Sequence, residues 1–217
     1  MSFKLEWDQS GEKFYEYGVD RGVVYPKVGT TYPKGAAWNG LREVTLSPSG
    51  AEATPLWANN RKYGNLYSEE ELTYTIGSYT FPDEFYPGLG FAELVSGVRI
   101  AQQKRQAFGF SYRNEIGDDA GGNNYKLHLI YDSMAAPSED SNSTVNDSPE
   151  SKEMSWECTT TPVNVEGHKP TAHIEIDTRT VDAEKLAALE AILYGTGETE
   201  ARLPLPDEVA QILGEAA

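Results

Sequence analysis

Turn residues interrupt this chain so often that a long helix has almost nowhere to form: 20 Gly and 12 Pro are scattered through 217 residues. The pieces between them are rich in β-branched and aromatic residues, the composition of strands. In FGFSYR from Phe108 the alternation is explicit, with Phe108, Phe110 and Tyr112 on one face and Gly109, Ser111 and Arg113 on the other. YKLHLIY sets Tyr125, Leu127, Leu129 and Tyr131 together, and MSWECTTT does the same for Met154, Trp156 and Cys158. AHIEID turns Ala172, Ile174 and Ile176 inward and His173, Glu175 and Asp177 outward, while LTYTIGSYTF from Leu72 supplies an earlier strand. These spacings predict a mainly β fold, a single domain over residues 1–217, whose sheets keep one wet face.

Helix signals are few. Asp182 is placed to cap a segment, about 182–194, in which Leu186, Leu189, Ile192 and Leu193 form an apolar stripe that Gly195 ends. A C-terminal helical tail is expected over 206–215, opened by Pro206 and Asp207, and Ser68 with Glu71 has the form of a capping box for a turn or two. Two stretches read as long loops, Tyr25–Gly40 with its prolines and glycines, and the polar, acidic Ala136–Lys152. Each is either a plain surface insertion or an arm that orders against a neighbouring subunit.

Charge narrows the function. With 34 acidic against 18 basic residues the net charge is −16 at pH 7, and no basic stripe is present, so nucleic-acid binding through phosphate contacts is disfavoured. The acidity reads either as a solubility device or as a surface that touches DNA without holding it. One cysteine, Cys158, rules out an intramolecular disulfide and fits synthesis in a reducing cytoplasm. The opening MSFKLEWDQSG, broken by Lys4, Glu6 and Asp8, reads as neither signal peptide nor anchor, and no later run approaches the ~20 apolar residues of a membrane span.

Catalytic and metal motifs are missing: there is no GxSxG, P-loop, HExxH or CxxC. Gly88 and Gly90 in PGLGFAE lack the third glycine of a dinucleotide loop, GDDAGGNN from Gly117 reads as a hairpin turn rather than a calcium loop, and Cys158 falls on an apolar face. Glu175 and Asp177, roughly 6.6 Å apart along a strand, approach the spacing of a glycosidase pair but have no apolar pocket to raise one pKa. No enzyme activity and no cofactor are expected. The 13 Tyr and 4 Trp leave a β-sandwich carbohydrate-binding module as an alternative and a glycoside hydrolase as a weaker one.

The unusual strings are GVDRGVVYP from Gly18, AWNGL from Ala37, SPSGAEATPL from Ser47 and YTFPDEF from Tyr79. They are followed by FGFSYRNEIG, YKLHLIY, NDSPE from Asn146, SWECTTTPV from Ser155, VDAEKLAALEAILYG and RLPLPDEV. Together, over about Gly18 to Val209, the chain resembles the major tail proteins, or tail tube proteins, of long-tailed, siphovirus-type bacteriophages. PGLGFAEL from Pro87 departs from the Cys-Asp-Gly-type turn more usual there.

The resemblance implies a tail-tube-type β-sandwich or half-open barrel with one flanking helix and long inter-subunit loops. Hexameric rings would stack into a tube through which DNA passes without specific binding. The implied partners are further copies of the chain, a tape-measure protein, tail-tip or distal tail proteins and a tail terminator; the implied location is the virion tail, after synthesis in the host cytoplasm. On this view Tyr25–Gly40 and Ala136–Lys152 are mobile in the monomer and order on stacking, with Tyr25, Tyr32, Trp38, Pro137, Asp140 and Asp147 as candidate self-association residues. The carboxylates would then line the lumen and repel phosphates.

Overall fold

Strands β1 (Phe14–Pro26), β2 (Ala36–Ala37), β3 (Leu41–Gly50), β4 (Ala53–Ala58), β5 (Arg61–Tyr67) and β6 (Glu70–Ser78) form the first half of the chain. A 3-10 turn at Asp83–Phe85 leads to β7 (Ala92–Val95), β8 (Val98–Ile100), β9 (Phe108–Asp118) and β10 (Asn124–Ala135). After them come β11 (Met154–Thr160), β12 (His173–Asp177), α1 (Ala183–Tyr194) and α2 (Pro206–Leu213). The computed structural model describes residues 4–50, 52–119, 121–122, 124–144 and 151–214.

The main sheet is antiparallel in the order β2-β1-β9-β10-β11-β6-β3. It forks at β10, whose Lys126–Ile130 pairs with β12 and whose Ser133–Ala135 pairs with β11. The β11-β6-β3 limb folds back over β1 and β9, and Tyr74, Ile76, Trp156 and Cys158 from that limb meet Val24, Phe108, Phe110 and Ile130 from the other in one aromatic-rich core. The approach is close at Gly22, where a Cβ would lie 2.8 Å from Leu41 Cδ2, so no larger residue fits without a shift.

A second core lies on the opposite face of the same strands. Val23, Tyr25, Leu127, Leu129 and Tyr131 pack there under Leu189 and Leu193 of α1 and Val209 of α2. Residues 22–25 of β1, 108–113 of β9 and 127–131 of β10 are therefore buried on both faces, which corrects the expectation of one wet face for these strands; β11 does alternate. The sandwich with its flanking helix is thus two cores sharing one sheet.

α1 begins where expected: Asp182 accepts hydrogen bonds from Glu184 N at 2.9 Å and Lys185 N at 3.2 Å, and Gly195 ends it at φ 75°. α2 covers Pro206–Leu213 of the expected tail. No helix forms at Ser68; the β-type run after it enters β6 instead. Among the described residues, no helix is long and apolar enough to cross a membrane.

Candidate functional site

The expected loop at residues 25–40 is in fact folded into the subunit. Lys27 N donates to Ala107 O at 2.9 Å, Val28 bridges Thr31, Tyr32 bridges Leu203, and Ala36–Ala37 pairs with β1. Its aromatics are core residues. Tyr25 donates from its hydroxyl to Leu193 O at 2.9 Å and lies 3.1 Å from Ser111 Oγ. Tyr32 accepts from Asp132 N at 2.9 Å, and Trp38 donates from Nε1 to Ser78 Oγ at 3.0 Å and Thr80 O at 2.9 Å. Each is at most 4% exposed, so none is available as a contact residue in the folded subunit. That burial corrects the reading of Tyr25, Tyr32 and Trp38 as self-association anchors.

The described residues of the second loop, 136–144 and 151–152, lie on the surface. Pro137 and Asp140 are exposed at the rim of a cleft of about 400 Å³ whose floor includes Phe81, Tyr86 and Trp156, and Asp140 is paired with Lys152. Asp147 lies outside the described residues.

What sequence reasoning missed is a ribbon. The β3–β6 pairing runs from Glu43↔Gly77 to Gly50↔Glu70, and β4–β5 resumes in the same register from Ala53↔Tyr67 to Leu56↔Gly64. After a bulge at Leu56/Trp57 the strands close through Asn59 and Asn60, both at positive φ (48° and 62°), as a two-residue primed turn requires. Leu41–Ser78 is thus one hairpin, roughly 60 Å long at a strand's rise per residue. Its inner part covers the first core. Its outer part touches neither core, and every residue of β4 and β5 except Gly64 is exposed.

That outer part exposes large apolar side chains: Trp57 is 68% exposed, Tyr63 81%, Leu66 61% and Tyr67 62%. A two-stranded hairpin is marginal on its own, and large apolar side chains left in water on both of its faces mark a segment that another molecule covers. A smaller hairpin, β7–β8, is exposed throughout and presents Leu94, Val95, Val98 and Ile100. The signal for the ribbon was present in ATPLWANNRKYGNLY, two β-rich runs around Asn-Asn, although Pro55 and Gly64 break its alternation.

The Glu175–Asp177 pair is organised against acid–base work. Arg179 grips Asp177 through both carboxylate oxygens, at 2.9 and 2.5 Å, and holds its pKa below the usual range, whereas a general acid needs the opposite shift. Lys126 bridges Glu175 at 2.9 Å and Glu16 at 2.7 Å.

Behind Lys126, His128 is buried and stacked on Tyr112. Its Nε2 lies 2.5 Å from Asn114 Oδ1, and its Nδ1 lies 2.9 Å from His173 Nε2. Asn114 donates from Nδ2 to Glu16 at 2.7 Å, which leaves its Oδ1 to accept from His128 Nε2–H and makes His128 Nδ1 the acceptor toward His173. Burial, reinforced by His173, lowers the His128 pKa to about 4. Because the unfolded chain takes up this proton near pH ~6.5, stability is full above that pH and falls toward pH ~4, by about 2 kcal/mol at pH ~5. Burial lowers the His173 pKa too, and its contribution has the same sign. Urea titrations at neutral and mildly acidic pH are expected to show this loss in the native chain and most of it gone in His128→Gln.

Neither a protein-family model nor a curated protein matches the chain. The exposed ribbon and the rows of polar side chains beside it are the features from which a function must be argued.

Proposed function

We propose that this protein is the structural subunit of a bacteriophage tail tube, assembling with copies of itself into stacked hexameric rings that conduct DNA into the host. The observation that carries the reading is the ribbon. Half of a long, register-continuous hairpin offers Trp57, Tyr63, Leu66 and Tyr67 to solvent, which a subunit does when a neighbour covers them. Head-to-tail contacts of this kind, in which one surface meets a different one on the next copy, generate rings and stacks. The edge strand β3 leaves backbone groups free to continue a ladder across a subunit boundary.

The outward face of β3, β6 and β11 suits a conduit. Its rows are Thr45–Thr75–Glu157 and Ser47–Thr73–Thr159, with Glu43 and Glu71 at the ends. Arg42 at one end is taken up by Glu43 at 3.7 Å and Glu153 at 3.1 Å. Small hydroxyls and carboxylates give phosphates nothing to grip. On this reading the lumen is lined by that face, the tape-measure, tail-tip and terminator proteins are the other partners, and the mature location is the virion tail. Negative-stain microscopy of the purified chain tests it: hollow rings or tubes are expected, and a field of uniform monomers at every concentration contradicts it.

A second reading, a carbohydrate-binding module, draws on Tyr15 and Tyr17, which are 60% and 48% exposed with ring centroids 5.6 Å apart. It requires a monomer that binds glycans and loses binding on Tyr15→Ala.

A further inference from the structure

The two ends of the exposed ribbon carry opposite charge. From Ala53 to Tyr67 the only charged residues are Arg61 and Lys62, beside the tip, and neither has an ion pair among the described residues. At the base, Glu69, Glu70 and Glu71 are consecutive, exposed and likewise without an ion pair among the described residues. Arg61 and Glu70 are roughly 30 Å apart along one strand pair, several screening lengths at physiological salt. The two groups therefore cannot neutralise one another within a chain.

Glu70 also borders a cleft of about 380 Å³ in the gap between the β3–β6 limb and the segment leading to β12, lined by Leu46, Pro48, Leu72, Pro162 and Pro170. No lysine or arginine lines it. Its proline and leucine walls and the Glu70 carboxylate at its edge complement the exposed Trp57 and Tyr63 and the two cations of the tip. The cleft is large enough for one aromatic side chain.

We infer that the ribbon tip of one copy docks in the cleft at the ribbon base of a second copy, with an aromatic anchor between the prolines and Arg61 and Lys62 against Glu70 at the cleft's rim. The occupant is another copy of this chain because the tip's cations find their complement on the protein's own surface and not within their own subunit. Each copy donates a tip and accepts one, which lets the contact repeat from copy to copy as a heterologous series. This inference rests on the self-assembling reading above and names the acceptor that reading leaves unspecified.

Charge exchange tests it, read by sedimentation velocity across a concentration series. Arg61→Glu with Lys62→Glu is expected to weaken association at least roughly 10-fold. Glu70→Lys does the same, and a chain carrying all three substitutions, its signs exchanged at both ends, associates again. All substituted sites are exposed, so native circular dichroism and melting are expected throughout. A native chain that assembles alongside a tip-reversed chain that assembles equally overturns the docking and leaves the tube reading standing. Two weakened variants with no recovery in the combined chain overturn the pairing of tip with base. A native chain that stays monomeric at its highest soluble concentration overturns both.

Discussion

A chain in which Ala53–Tyr67 is replaced by an Asn-Gly turn is expected to fold, to melt close to the native protein and to stay monomeric. The removed residues belong to neither core, and the remaining β3–β6 pairing, from Glu43↔Gly77 to Gly50↔Glu70, still covers the first one. An Asn-Gly turn suits the primed geometry needed to close it. What disappears is the exposed surface of Trp57, Tyr63, Leu66 and Tyr67. Large aromatic anchors carry most of the energy of such contacts, so the loss in assembly is expected to be complete rather than graded. Thermal melting and sedimentation together check it: a melt far below native would place the hairpin in the fold, and undiminished assembly would remove it from the interface.

Trp38→Ala is expected to have the largest effect on stability, about 3–5 kcal/mol. The indole packs against Phe85, Phe110 and Trp156, with ring centroids at 4.7, 5.5 and 5.6 Å, and joins both limbs of the sheet. Its N–H also serves Ser78 Oγ and Thr80 O, so truncation leaves a cavity and removes a buried donor together. A loss of that size is a large share of the stability of an ordinary domain and is read directly as a shift in the urea midpoint. If Trp38 were an inter-subunit anchor, the variant would unfold with the native midpoint and fail only in assembly.

Trp38 also illustrates what was legible in the sequence. Strand faces were, because alternation is local: Phe108, Phe110 and Tyr112 enter the first core together, as do Trp156 and Cys158, and Leu127, Leu129 and Tyr131 enter the second. The α1 boundary was legible for the same reason, since Asp182 and Gly195 act within a turn of the helix. The placement of Tyr25–Gly40 was not. Its glycines and prolines signal a loop, but its order comes from distant partners: Leu203 for Tyr32, Ala107 for Lys27, Ser78 and Thr80 for Trp38. Burial on both faces was missed because the covering helices lie far away in the chain. The ribbon was missed because Pro55 and Gly64 break the alternation around Asn59–Asn60, the turn that sets the register of β3 against β6. The assembly reading came from strings that carry no chemistry, whereas the surface that makes it physical came from the fold.

Cryo-electron microscopy of whatever the full native chain assembles into tests the central claim most directly. The account predicts a hollow assembly of hexameric rings in which each ribbon, tip at Asn59–Asn60, is buried against another copy and the Thr45–Thr75–Glu157 face lines the channel. A solid filament, a ribbon standing free in solvent, or a monomer with no higher species would contradict it.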